Sequence, residues 1–337
     1  EGVTVAALFS PEHGLESRLE GRVQHGEHGG IPVFSLFGKT RTPTAEMLQG
    51  VDTIVFDLQD VGTRFYTYLS TLRRVLEGAR AHDREVMVLD RPNPLGGARV
   101  DGPMLAPGVE TFVNYHPLPV RHGLTAGEMA RLLNDERKIG AKLHVIAMQG
   151  YARELEMDDT GLSWIAPSPN LPDVTSVVAY PALGLLESTN VSVGRGTDRP
   201  FGFLGAPWID AQRLLSWLED ARLPGVRFAA ATHTPTRDRF PGKACHGVDV
   251  MIEDARAFQP VRAALTLAAG LSALHPNHFA SADLAKLLAH PRTLANLQAG
   301  ETVSAMEAAF EDEERAWERR RAPYLLYPRC DDQVGSD

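Results

Sequence analysis

Five carboxylates stand where this chain could use them chemically. Glu12, Asp57, Asp60, Asp90 and Glu187 each follow an apolar run or lie in a loop beside glycine, arginine or aromatic residues. Paired carboxylates suit glycoside cleavage, one protonating the leaving oxygen while the other acts as nucleophile or base. Spacing alone leaves this as one chemistry among several. The densest cluster is 51–72, VDTIVFDLQDVGTRFYTYLSTL, where Ile54, Val55 and Phe56 run into Asp57, Gln59, Asp60, Gly62, Thr63 and Arg64 before a helix-like stretch. Asp57 and Asp60 equally suit capping of that helix. Arg64, beside Phe65, Tyr66 and Tyr68, does not fit so bland a role.

Other chemistries have weaker support. There is no GxxxxGK[ST] loop and no GxGxxG after a strand, and Gly194 and Gly196 do not form one. His13, His25, His28, His122 and His246 are present without HExxH or CxxC spacing, so no metal is called for. No GxSxG elbow marks a serine nucleophile, and Ser10, Ser168 and Ser192 suit turns or caps better.

Positioning these residues requires strands that end in polar tips. Residues 3–9, 31–38, 51–57, 86–89 and 143–148 read as strands, interleaved with helical patterns at 66–81 and 125–134 and a short helix at 44–48. The second helix opens with a capping box, Thr125 and Glu128. Alternation of this kind indicates a mostly parallel, doubly wound α/β sheet, with ligands bound beyond the carboxyl ends of its strands. The tips at Ser10, Asp57 and Asp90 are therefore expected on one edge of one sheet. After Trp164 the texture changes to a proline-rich stretch and then the polar, glycine-bearing 187–208, a candidate lobe boundary. Helices are expected beyond it at 211–218, 261–273, 282–288 and 303–320, with strands near 226–230 and 247–252.

A length of 337 residues suits two lobes, and 43% hydrophobic with 23% charged residues suits a chain that buries a sizeable core. A net charge of -9, spread without long single-sign blocks, argues against a nucleic-acid surface. Cys245 and Cys330 are too few for a disulfide framework or a zinc site. No apolar run reaches the length of a membrane span, and no basic-then-apolar leader opens the chain.

Six motifs then carry a family resemblance: SPEHGL at 10–15, FDLQDVGTRFYTYLSTL at 56–72, DRPNPLGG at 90–97, RHGLTAGEMA at 121–130, PSPNLP at 167–172 and ESTNVSVGRGTDRPF at 187–201. In this order, and down to PYLLY at 323–327, the chain resembles the DUF1343 family, whose characterised members are exo-β-N-acetylmuramidases of the NamZ type. It departs from the family at Ser188, where glycine is more usual, and at 14–17, GLES in place of GLRG. The resemblance implies a Rossmann-like lobe over 1–165, lacking a first strand and helix that relatives carry, and a smaller α/β lobe over 166–337 closing an active cleft. It implies release of N-acetylmuramic acid from the non-reducing end of peptidoglycan fragments, with no cofactor and no nucleic-acid partner. A secreted or periplasmic location is expected on the same ground.

Under that resemblance Glu12, Glu187 and His13 are the catalytic candidates. Asp57, Gln59, Asp60, Arg64, Tyr66, Asp90, Asn170, Asn190, Arg195 and Thr197 are the substrate-binding ones. Glu12, near apolar Phe9 and Pro11, is expected to be the protonated acid and Glu187, near Arg195, the ionised partner. A muramic acid carries a lactyl carboxylate, which a guanidinium can hold bidentately, so Arg64 or Arg195 is expected to touch it. Each residue also has a structural alternative, from a loop cap at Glu12 to an ion pair between Glu187 and Arg195. A non-catalytic wall-sugar module, or an amidase or esterase acting on muropeptides, would draw on the same residues.

Overall fold

A computed structural model describes residues 2–330. Strands β1 (Leu8–Ser10), β2 (Gly26–His28) and β3 (Ile31–Ser35) form a small sheet ordered β1-β3-β2, in which β1 and β3 run parallel. Next come β4 (Thr53–Phe56), α1 (Tyr68–Ala81), β5 (Glu85–Leu89), α2 (Ala126–Glu136) and β6 (Lys142–Ile146), whose strands form a parallel sheet ordered β4-β5-β6. Ile54 pairs with Val86 and Phe56 with Val88, so these four buried side chains share one face. Leu69, Leu72 and Leu76 of α1 and Met129, Leu132 and Leu133 of α2 pack into the same core. Val55, on the alternate face, stays 54% exposed.

The second half contributes α3 (Val174–Glu187), β7 (Phe203–Ala206), α4 (Ala211–Ala221), β8 (Val226–His233), β9 (Cys245–Ile252), α5 (Pro260–Leu274), α6 (Ala285–Leu288), α7 (Pro291–Gln298), α8 (Val303–Ala308) and α9 (Glu311–Arg321). Here the sheet is antiparallel, ordered β7-β9-β8. Helix α3 packs chiefly against α5 in the core of this half and is started by Asp173, whose carboxylate accepts from Ser176 N at 2.7 Å. Leu183, Leu185 and Leu186 of α3 are at most 1% exposed, and each such burial contributes about 2 kcal/mol.

The chain is thus α/β in both halves, as the sequence indicates, with corrections in detail. Ser10 and Asp57 end strands of different sheets, because β1 pairs with β3 while β4 pairs with β5. Residues 44–48 make a bonded turn, Leu48 N donating to Thr44 O at 3.1 Å, in place of a helix. The stretch expected as one helix over 303–320 is two, α8 and α9. Phe310, at the start of α9, sits in the second half's core, whereas Trp317 is fully buried in the first half's core and donates from Nε1 to His122 O at 2.9 Å. Arg321 extends this strap, donating to Gly97 O at 2.8 Å and Gly123 O at 2.5 Å.

Candidate active site

The tip of β1 turns sharply through SPEHG. His13 takes a left-handed backbone conformation, φ 73°, at a steric cost of about 1–2 kcal/mol. The turn is held by His13 Nδ1 donating to Leu19 O at 2.9 Å and Leu19 N donating to His13 O at 3.0 Å. Its product is the placement of Glu12 against the start of α1. Thr67 stands at the N-cap of α1 but makes no side-chain cap. Its hydroxyl donates instead to Glu12 Oε2 at 2.5 Å. Tyr66 and Tyr68 both donate to Pro167 O, at 3.1 and 2.7 Å, and the His13 ring lies 6.4 Å from that of Tyr66.

The facing wall comes from the end of α3. Glu187, expected at a strand end or in a loop, is the last residue of that helix. It pairs with Arg195, which also lies 3.5 Å from Glu20 and 3.5 Å from Asp238. Arg195 stands between two glycines with positive φ. A Cβ on Gly194 would collide with the Arg199 carbonyl, and one on Gly196 would come within 2.6 Å of Arg237 O. The VGRGT loop therefore needs both glycines to bring its arginine to the carboxylates.

Between these walls lies a cavity of about 400 Å³, lined by Glu12, His13, Tyr66 and Thr67 on one side and by Glu187, Arg195 and Lys286 on the other, with Asn170 at the seam. Burial pushes the Glu187 carboxyl above its ordinary value; Arg195 pulls against this, while the charges of Asp238 and Glu12 add to the rise. Burial would also raise Glu20, but the hydrogen bond from Asn170 and the charges of Arg195 and Arg237 hold it below the usual range. Desolvation keeps the Tyr66 phenol protonated far above its normal value. Both glutamates are half-buried, and burial raises the proton affinity of Glu187, the residue expected to be the ionised partner.

Several predicted residues lie elsewhere. Arg64 is fully buried, donating to the carbonyls of Pro103, Leu118, Leu287 and Leu288 at 2.7–2.9 Å. Desolvation lowers its pKa to about 9. It clamps the two halves and has no donor pair facing the cavity. Asp57 is paired with Arg91 at 2.7 Å on the surface, and Gln59 ties two loops together through Asp60 O and Pro92 O. Asp60 accepts from Gly62 N at 2.7 Å and lies 3.5 Å from His122. Asp90 braces the start of α2, accepting from Gly127 N and Thr125 Oγ1 at 2.7 Å and from Tyr327 at 2.5 Å.

Asn190 holds the 278–280 segment through His278 O and Ala280 N, and Thr197 closes its own turn on Gly194 O. Of the thirteen residues singled out, the structure brings six to the cavity: Glu12, His13, Tyr66, Asn170, Glu187 and Arg195. Thr67, Glu20, Asp238 and Lys286 escaped the sequence reading. Thr67 sat inside the TRFYT motif, masked by its aromatic neighbours. The others lie in charged stretches that carry no local signal. Among the described residues, no group of His, Cys, Asp and Glu is arranged to hold a metal, and no helix is long and apolar enough to cross a membrane.

Two family models described as exo-beta-N-acetylmuramidase NamZ, N-terminal and C-terminal, match residues 1–175 and 178–327. A Bacillus subtilis (strain 168) protein named peptidoglycan beta-N-acetylmuramidase NamZ is 41% identical over 332 residues, covering 96% of this chain and 80% of its own. Crystal structures of two DUF1343 family proteins from Bacteroides fragilis NCTC 9343 superpose with TM-scores of 0.81 and 0.79 at 32% and 28% identity. Each alignment covers 96% of this chain and 86% of the other.

Proposed function

The chain belongs to the exo-β-N-acetylmuramidase NamZ family, and from that premise we propose that it is a glycosidase releasing N-acetylmuramic acid from the non-reducing end of peptidoglycan fragments. The observation that carries the reading is the pair of glutamates, Glu12 and Glu187, brought to one cavity by different elements. A sugar in that cavity would meet a carboxyl raised by burial on one side and, on the other, a carboxylate oriented by the Thr67 hydroxyl. General-acid work calls for the raised group. Glu187 therefore protonates the leaving oxygen, and Glu12 serves as base or nucleophile, the exchange of the roles expected from sequence. Arg195 is a positioning residue that holds Glu187 and limits its rise. Asn170 is in reach of sugar hydroxyls, and Tyr66 gives the ring an apolar neighbour.

The test is incubation with a disaccharide of N-acetylmuramic acid β-linked to N-acetylglucosamine, followed by mass spectrometry. Both free monosaccharides are expected. An intact disaccharide would support the sugar-binding module instead, and release of peptide or acyl groups from a muropeptide without sugar cleavage would support the amidase or esterase. Because this polymer lies outside the cytoplasmic membrane, we also propose an extracytoplasmic site of action. Cell fractionation with an antibody to the protein tests it, and retention in the cytosolic fraction would overturn it.

A further inference from the structure

The muramidase reading demands something that neither predicted arginine supplies. N-acetylmuramic acid differs from N-acetylglucosamine by an ether-linked lactyl group, whose carboxylate adds one negative charge. A site that prefers the muramide needs a cation able to meet that charge. Arg64 is sealed away on four carbonyls. Arg195 reaches the cavity but already faces Glu187, Glu20 and Asp238, so an incoming lactyl group there would be the fourth carboxyl around one guanidinium. Arg237 is committed to Glu20 at 3.3 Å and does not line the cavity.

Lys286 is the other cation lining the cavity. Among the described residues its ammonium pairs with Asp283 at 3.1 Å, the two side chains being 65% and 43% exposed. Such a solvent-exposed pair is worth little and exchanges partners readily. The backbone beneath it is the opposite, tightly fixed. Lys286 O accepts from Asn114 Nδ2 at 2.8 Å, and the next two carbonyls, of Leu287 and Leu288, accept from Arg64. Asp283 O accepts from the hydroxyl of Ser188, the residue next to Glu187, at 2.9 Å. A loosely held lysine side chain thus stands on a rigid mount, on a residue that lines the same cavity as Glu187.

We propose that Lys286 receives the lactyl carboxylate and sets the preference for muramides over glucosaminides. The proposal rests on the muramidase reading of the same cavity. It gives Arg64 an indirect part, that of fixing the short helix α6 on which Lys286 stands. It also gives Asp283 one, as the surface partner that holds the ammonium until a substrate carboxylate replaces it.

The experiment compares kcat/KM on a matched pair of aryl glycosides, an N-acetyl-β-muramide and an N-acetyl-β-glucosaminide, for the wild-type chain, Lys286→Met, Lys286→Arg and Asp283→Asn. Lys286→Met should lower the muramide-to-glucosaminide ratio about tenfold or more, chiefly through KM for the muramide. Lys286→Arg should restore most of the ratio, and Asp283→Asn should lower the muramide KM. A muramide whose lactyl group is converted to the neutral amide should be handled alike by wild type and Lys286→Met. An unchanged ratio in Lys286→Met, with the wild type active on the muramide, overturns the assignment and leaves the muramidase reading intact. A wild type that cleaves neither glycoside nor the disaccharide overturns both.

Discussion

The two walls of the cavity each offer one glutamate, and they prepare it by different means. On the β1 side, Glu12 is half-buried and its recorded side-chain partner is a neutral hydroxyl, that of Thr67. On the α3 side, Glu187 sits among charges, paired with Arg195 while Glu20 and Asp238 press on the same guanidinium. The first wall fixes direction and the second sets proton affinity. One member of the proposed catalytic pair can therefore be tuned without moving the other. The arginines divide in the same way. Arg64, from the first wall's motif, is spent on backbone carbonyls, whereas Arg195 acts on a side-chain carboxylate.

The sharpest way to break this comparison is to remove each carboxylate in turn. Glu12→Gln and Glu187→Gln should each lower turnover of the natural disaccharide by about 10²–10⁴-fold, the usual worth of general acid–base catalysis. They should separate on an aryl muramide with a good leaving group, which needs little protonation. Glu187→Gln should retain most activity there, and Glu12→Gln should not. Steady-state kinetics on both substrates decides it, and the reverse pattern would return the acid role to Glu12.

The next largest effect falls on stability. Arg64→Met leaves four carbonyls, three of them buried, without their donor and should cost on the order of 4 kcal/mol in denaturant unfolding. A variant as stable as wild type would remove the clamp from the account. A smaller and signed effect is expected of Arg195→Gln. Arg195 draws the Glu187 carboxyl down, so its loss should carry that carboxyl higher. A general acid works in its protonated form, so the alkaline limb of the kcat profile should move to higher pH. Movement of the acid limb to higher pH, with the alkaline limb in place, would assign Glu187 the ionised role. The smallest change is Thr67→Val, which removes the hydroxyl from Glu12. About 1 kcal/mol, or roughly fivefold in kcat/KM, should be lost, with Thr67→Ser restoring it.

What was legible from the sequence was whatever is decided locally. The capping box of α2 needs only Thr125 and Glu128, and both of its bonds form. The β4 strand and the helix after it are bounded by their own apolar periodicity. Helix α3 was not seen, because eleven of its fourteen residues are buried and no polar face gives it a helical stripe; Pro181 within it reads as a breaker. Asp173 and Ser176 were the available signal for its start. Asp90 and Arg64 failed for another reason. Their partners lie tens to hundreds of residues away, at Gly127, Tyr327 and Leu288, and nothing in DRPNPLGG or TRFYT says which way a side chain will turn. The ESTN motif was split likewise: Glu187 and Ser188 reach the cavity, while Thr189 and Asn190 bond to the protein's own backbone.

The strap formed by α9 bears on how the protein is made. Trp317 fills the first half's core, yet it leaves the ribosome only after the whole β7-β9-β8 sheet. An emerging first half has an unfilled site at that position, and a buried Trp is worth about 3–5 kcal/mol to the core that holds it. The first half therefore lacks part of its core until its synthesis is long over. Chaperone dependence should fall late in translation, when α9 emerges, and an amino-terminal half produced alone should refold poorly unless residues 311–330 are supplied in trans.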